Sequence, residues 1–394
     1  MFEILINKQE KQKEIALIEN GKLIEYYLED EKTYRNEGNI YLGIVKDIVK
    51  GMQSAFVDIG TEKNSFIHLK DLLPKIDEKK EKADESIDIK NVIKPGDKLL
   101  VQVKKDSNVQ KGARISTHIN LPSKYIALMP NTDIVTISQK IEDKKEQERL
   151  IKLVKENLSK GNGAVIRTSA EGKEQEIIED IKNVENKWNK IQEKYQKQKG
   201  KEPKLISKSE NIVEKMILDL PENSIQKIIL NDKNEYEEIS KYQQENNYIN
   251  NTKIELNEGK DITELYDVKK EISKIANRKI WLKCGGFITI DKTEALTAID
   301  VNTGKYTGTK SAEQTVLKVN EEATIEIAKQ IKLRDIGGII IIDYIDMQNV
   351  ENKKKIQNLL QENLKKDRTK TQIEGFTKLD LMELTRKHIC SHKE

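Results

Sequence analysis

Cysteine is nearly absent from this chain: its 394 residues hold two, Cys284 and Cys390, far apart in sequence. That excludes a disulfide framework and a four-ligand zinc set built from cysteines. Arginine is scarce too. Only eight of the 70 basic residues are Arg, at positions 35, 114, 149, 167, 278, 334, 368 and 386. In so lysine-rich a background each arginine carries information, because its planar fork grips phosphate in a way lysine cannot copy. A dominant charge of one sign is missing, since 67 acidic residues leave a net charge of +3. Bulk charge therefore does not announce a nucleic-acid binder, and any basic groove must be local. Long hydrophobic runs are missing as well. None approaches the ~20 residues of a membrane span, and the N-terminus lacks the basic stretch and apolar run of a secretory signal. The expectation is a cytoplasmic protein with no membrane segment.

What is present is enough chain for two to four compact domains. The charged fraction, 35% against 36% hydrophobic, predicts much solvated helix surface. Residues 1–34 read as a β-hairpin, with two apolar strands around Asn20-Gly21, the strongest two-residue hairpin signal. Residues 35–118 are short strands broken by glycines, which indicates a small β-barrel of OB type. Its charged insert, 75–91, reads as a solvated loop. Within 119–211, Ile178, Ile181, Val184, Trp188, Ile191 and Tyr195 fall at spacings of three and four, one face of an amphipathic helix. Gly200 and Pro203 mark a boundary. Residues 212–276 alternate helix and strand. From 279 the pattern predicts a three-strand meander with turns at Gly285-Gly286 and Asp291-Lys292. A long helix follows, then a buried strand entered through Gly337-Gly338, then another helix. No solenoid repeat is present.

Four constellations bear on chemistry. Asp300 closes the apolar run "ALTAI" and Asp343 closes "GGIIII". A strand-helix-strand connection joins them, so neighbouring strands would bring both carboxylates out at one sheet edge, where ligands bind in such sheets. Two hard oxygen ligands there suit Mg²⁺, with Mn²⁺ an alternative, and Asn302 could hold a carboxylate in place. Asp346 competes for the second position, and strand-ending turn residues are the plain alternative. In the barrel, Phe56, Phe66 and His68 recur at alternating positions and could stack on unpaired bases; ordinary barrel core is the other reading. Lys105, Lys111 and Arg114 sit where they could follow a phosphate backbone. Arg167 and Thr168 end a strand before a Gly-bearing turn, suited either to a terminal phosphate or to turn chemistry. Last, His388, Cys390 and His392 alternate near the C-terminus, either a metal clip or a frayed end.

Together, "GFITIDKTEALTAIDVNTGK", "IAKQIKLRDIGGIIIIDYIDM", "GNIYLGIVKDIVKGMQSAFVDIGTEKNSFIHL" and "GAVIRTSAEG" closely resemble, in content and order, the ribonuclease E/G family. The resemblance covers nearly the whole chain. It implies an α+β and α/β multi-domain fold: a split RNase H-like subdomain (1–34 and 212–276), an inserted S1 barrel (35–118), a 5′-sensor region (119–211) and a DNase I-like catalytic subdomain (277–394). By the same resemblance Asp300 and Asp343 bind catalytic Mg²⁺ and Asn302 positions an aspartate. Phe56, Phe66 and Lys111 contact single-stranded RNA, with His68 beside them, and Arg167 and Thr168 bind a 5′-monophosphate. The implied activity is endonucleolytic cleavage of AU-rich single strands in rRNA and tRNA processing and mRNA decay, leaving a 5′-phosphate and a 3′-hydroxyl.

Three features depart from the family pattern. Cys390 has no second cysteine two residues on, which leaves the zinc link and the assembly it holds open; a homodimer is the expected partner state. The second sensor arginine aligns with Lys370, a point charge rather than a fork. No arginine-rich scaffold tail follows, so a degradosome hub is not expected. The competing reading is an RNA-binding or ribosome-associated regulator that keeps the fold but turns over poorly.

Overall fold

The computed structural model of the chain describes residues 1–30, 36–72, 88–107, 111–304, 312–365 and 367–389. They form two compact units, Met1–Thr33 with Leu220–Glu394, and Tyr34–Asp219. Among the described residues no helix is long and apolar enough to cross a membrane.

The first unit opens with three successive antiparallel strands, Phe2–Gln9, Gln12–Glu19 and Lys22–Asp30. The hairpin turn at Asn20-Gly21 is present, both residues at positive φ. The leading strand goes beyond the expected hairpin. It turns at Glu10-Lys11 without Gly or Pro, Glu10 itself taking a φ of 46°. Phe2–Gln9 then pairs in parallel with Ile225–Leu230, and that strand with Lys253–Leu256, completing a five-stranded sheet.

A six-stranded sheet follows in the same unit, ordered Lys279–Trp281, Phe287–Lys292, Leu296–Asn302, Gly338–Asp343, Leu381–Arg386, Thr371–Phe376. One pair is parallel, Leu296–Asn302 with Gly338–Asp343. A parallel pair needs a crossover, and helix Ala312–Leu333 supplies it. Period-two alternation sends Ile288, Ile299, Val301, Ile340, Ile342 and Leu384 into one core, where they meet Val319, Ala323, Ile327 and Ile331 of that helix and Ile356, Leu360 and Leu364 of helix Val350–Lys365. The opposite face carries Thr289, Asp300 and Asp343. The strand expected to be buried is therefore covered on one face, and its Ile339 is 50% exposed. The second meander turn also differs from expectation. Asp291 and Lys292 are strand residues, and the chain reverses at 293–295, where Thr293 donates to the Leu296 carbonyl from both its N–H and its hydroxyl. In the strand, Asp291 accepts both prongs of the Arg278 fork at 2.5 and 2.7 Å.

In the second unit, strands Ile40–Val49, Ser54–Asp58, Ser65–His68, Arg114–Ser116 and Lys98–Lys105 pair in that order, and Lys98–Lys105 returns to Ile40–Val49 to close a barrel. Val45, Ala55, Val57, Ile67, Val101, Val103 and Ile115 fill it. The charged insert lies, through residue 87, outside the described residues. A four-stranded sheet follows, ordered Val135–Ile137, Asn162–Ile166, Ile126–Pro130, Leu121–Pro122. Helix Gln175–Gln196 packs Ile181, Val184, Trp188 and Ile191 beside it as expected, but Ile177 rather than Ile178 completes the buried face. The rotation brings Asp180 inward, where Ser123 Oγ and the N–H groups of Tyr125 and Ile126 donate to its carboxylate at 2.5, 2.9 and 3.2 Å. Burial pushes the Asp180 carboxyl up, opposed by these donors.

Candidate functional site

The parallel pair places Asp300 and Asp343 in direct register at the carboxyl ends of adjacent strands, where Cα atoms lie ~4.8 Å apart. Both are exposed. Asn302 donates from Nδ2 to Asp300 Oδ2 at 2.6 Å, as a positioning side chain would. Asp343 accepts no hydrogen bond from any described residue. Its carboxyl is held above the usual range, first by desolvation and then by repulsion from Asp300 and Asp346. Asp346 is exposed and lies past the strand end.

The backbone around this pair is fixed from beneath. Asn320, fully buried on helix Ala312–Leu333, donates to the Ile345 carbonyl at 2.8 Å and accepts from the Ile345 N–H at 3.2 Å. It thus clamps the chain between Asp343 and Asp346. Thr324, one turn along, donates to the Tyr344 hydroxyl at 3.0 Å, and burial drives the Tyr344 phenol pKa upward. Neither residue was expected at the site. A polar side chain on the apolar face of an amphipathic helix is the signal that points to them. On the other side, the Gly285-Gly286 turn presses against the strand end. A Cβ at Gly286 would meet the Asn302 carbonyl at 2.8 Å, and one at Gly304, whose φ is +59°, would meet the Gly285 carbonyl at 2.4 Å.

Two unsaturated carboxylates in register, with a third nearby and a raised carboxyl pKa, are a donor set that a hard divalent cation would relieve. Among the described residues no three His, Cys, Asp or Glu side chains gather into a metal cage. A cation here would rest on Asp300 and Asp343 and take its other positions from water and phosphate, as Mg²⁺ commonly does.

In the barrel, Phe56 and Phe66 are cross-strand partners and Ser54 pairs with His68. Their neighbours Ala55, Val57 and Ile67 are the buried ones, while Phe56 is 38% exposed, so these aromatics lie on the outer face, not in the core. Phe66 meets Phe56 edge-on at 6.0 Å and His68 at 4.7 Å between ring centroids. Ser54 Oγ holds His68 Nδ1 at 2.9 Å. Lys105 and Lys111 are exposed. Arg114, grouped with them in the sequence, is instead forked onto Asp71 at 3.0–3.3 Å.

Arg167 and Thr168 follow strand Asn162–Ile166 directly. Arg167 is ion-paired through Nη2 with Asp219 and donates from Nη1 to the Ser123 carbonyl at 3.2 Å. The Thr168 hydroxyl is 3.0 Å from that of Ser138. A phosphate at Arg167 would have to compete with Asp219. Lys370 belongs to the other unit, exposed just ahead of strand Thr371–Phe376. His388 packs on Gly337 with Nδ1 3.2 Å from the Asp335 carbonyl; Cys390 and His392 lie outside the described residues.

An open sheet edge with paired aspartates, in a chain that also carries a small barrel with outward aromatics, points to a class: enzymes that act on nucleic acid. Comparison with known proteins makes it particular. Residues 120–389 match the model of the Ribonuclease E/G family, and residues 34–118 match that of the S1 RNA binding domain. Ribonuclease G of Salmonella typhimurium (strain SL1344) is 38% identical over 392 residues, covering 98% of this chain and 79% of that protein. Ribonuclease G of Escherichia coli K12 is 37% identical over 98% of this chain and 79% of its own length. Ribonuclease E of Nostoc sp. is 33% identical over 95% of this chain and 56% of its own length. The chain belongs to the ribonuclease E/G family.

Proposed function

We propose that this chain is an endoribonuclease that cuts single-stranded, AU-rich RNA with Mg²⁺, or Mn²⁺ in its place, leaving a 5′-phosphate and a 3′-hydroxyl. The observation that carries this reading is the in-register pair Asp300–Asp343 with Asn302 bonded to Asp300. Asp300 and Asp343 hold the cation. Asn302 fixes the Asp300 carboxylate, and Asn320 keeps the chain beyond Asp343 from moving when charge changes above it. When bound, the cation supplies Lewis acidity to a phosphoryl oxygen and to water. Phe56, Phe66 and His68 stack unpaired bases on the outer barrel face, and Lys111 adds charge beside them. Arg167 and Thr168 read a 5′-monophosphate.

On this reading the five-stranded sheet is the RNase H-like part, 119–211 the 5′-sensor region and the six-stranded sheet the DNase I-like catalytic part. The cellular work is rRNA and tRNA processing and mRNA decay, by a homodimer. The test is incubation of a 5′-monophosphorylated AU-rich oligonucleotide with and without Mg²⁺, with end-group analysis of the products and light scattering of the enzyme. Metal-dependent internal cuts with 3′-hydroxyl ends are expected. Tight binding without any cut would replace the enzyme by an RNA-binding regulator.

A further inference from the structure

Next to the aspartate pair, on the same open face, stands a group of side chains that the mechanism above does not use. Strand register runs Trp281 to Phe287 to Asn302, and Lys279 to Thr289 to Asp300 to Asp343. Ile280 and Ile288 point to the core, so Lys279, Trp281 and Phe287 point away from it. The Trp281 and Phe287 rings meet edge-on, 5.3 Å between centroids. Lys279 Nζ lies 4.2 Å from the Trp281 ring centroid and 3.5 Å from that of Phe287. Trp281 is 58% exposed, whereas the chain's other tryptophan, Trp188, is 5% exposed in the core of the second unit.

An indole left in water forgoes the burial that normally places tryptophan inside. Here its orientation is fixed before any ligand arrives, by Phe287 on one side and an ammonium over the ring. Two cations lie with it, Lys279 in the group and exposed Lys283 in the adjoining turn, beside the row that carries Asp300 and Asp343. An aromatic platform with a cation beside it fits an unpaired base and its phosphate better than an apolar protein surface. The register places it two strands from Asn302, roughly 10 Å away, within reach of a nucleotide that neighbours the one held at the aspartates.

We propose that Lys279, Trp281 and Phe287 form a base-stacking subsite on the catalytic sheet itself, separate from the barrel aromatics, which holds an unpaired nucleotide flanking the scissile phosphate of single-stranded RNA. The indole takes the base and the Lys279 ammonium the adjoining phosphate. The inference rests on the reading of Asp300 and Asp343 as the cleavage centre.

The test couples protein and substrate changes. Trp281→Ala should raise KM by about 5- to 150-fold, the loss expected for one stacked base, with kcat little changed; Trp281→Phe should recover most of it. An abasic nucleotide at one flanking position should weaken the wild type to a similar degree and leave Trp281→Ala unaffected, which is the signature of a direct contact. Single-stranded RNA should quench the exposed tryptophan in the wild type and in Asp343→Asn, but not in Trp281→Phe. An unchanged KM in Trp281→Ala, or abasic penalties identical in wild type and variant at every position, overturns the subsite. So does a KM change that follows a shift in mass by light scattering, since the patch would then contact protein. Quenching needs no cleavage, so it stands or falls apart from the catalytic assignment. Normal cleavage by Asp343→Asn would sink that assignment and leave the subsite to the quenching result.

Discussion

At the carboxyl ends of parallel strands, the five-stranded sheet places Asn7 and Asn231, and the six-stranded sheet places Asp300 and Asp343. Asn7 is buried and its amide is partnered at both ends: Nδ2 donates to Glu14 at 2.8 Å, and Oδ1 accepts from Asn231 Nδ2 and the Ile262 N–H, each at 3.0 Å. Asn231 in turn accepts from the Lys8 N–H at 2.7 Å and donates to the Lys8 and Lys260 carbonyls. In the six-stranded sheet Asn302 is the one described donor to Asp300, and Asp343 has none. The same topological position is closed in one sheet and open in the other. Polar groups in the first hold loops together. In the second the carboxylates of Asp300 and Asp343 repel each other, an arrangement of the kind that lowers stability and is kept where function needs it.

The sharpest way to break this contrast is Asp343→Asn. If the open edge is the cleavage centre, the variant should lose activity by a thousandfold or more, since several kcal/mol of charge stabilisation depends on the carboxylate. Its melting temperature should hold or rise, because the repulsion from Asp300 and Asp346 is gone. A rate equal to wild type would remove the assignment. Asn302→Ala comes next: it deletes the hydrogen bond to Asp300 without touching charge, and a loss of about 10- to 100-fold in rate is expected, with thermal unfolding unaltered.

The closed edge should respond in the opposite currency. Asn7→Ala leaves the Ile262 N–H without its partner and removes one acceptor of the Asn231 amide, at a cost of about 1–3 kcal/mol in urea unfolding. Cleavage per folded molecule should stay at the wild-type rate. A variant that keeps its stability but cuts poorly would show that the five-stranded sheet is not merely a support.

The contrast was partly legible before any coordinates. Asp300 and Asp343 could be paired because a strand-helix-strand unit forces parallel neighbours, and two apolar runs each ending in Asp set the register. Phe56 and Phe66 could be named, but not their side of the barrel, since core and outer positions alternate and the string does not say which is which. Asp291-Lys292 looked like a turn because its partner, Arg278, sits 13 residues away. Trp281 was hidden for a similar reason. "KIWL" reads as apolar, and only pairing with Phe287–Lys292 shows that Ile280 and Leu282 turn inward while Lys279 and Trp281 turn out. Asn320 needed the crossover helix to be seated under Ile345 before its amide had a purpose. The local pattern could define elements; partners brought together by the fold decided which polar groups are closed and which are open.

Arg167 falls between the two states, and the smallest expected effect tests it. Its guanidinium is occupied, yet by Asp219, a carboxylate that is itself a quarter exposed, so a phosphate could exchange with it. The partly exposed pair is worth only about 1 kcal/mol, so the change should be several-fold, not a thousandfold. Arg167→Ala should narrow the rate advantage of 5′-monophosphate over 5′-hydroxyl substrates by that amount. Asp219→Asn should widen it, because the fork loses its competitor while keeping the Ser123 carbonyl. Opposite shifts in the two variants, read as kcat/KM ratios on otherwise identical oligonucleotides, are the expected result. If both ratios stay at the wild-type value, Arg167 and Asp219 form a closed structural pair like Asn7 and Asn231, and the 5′ end is read elsewhere.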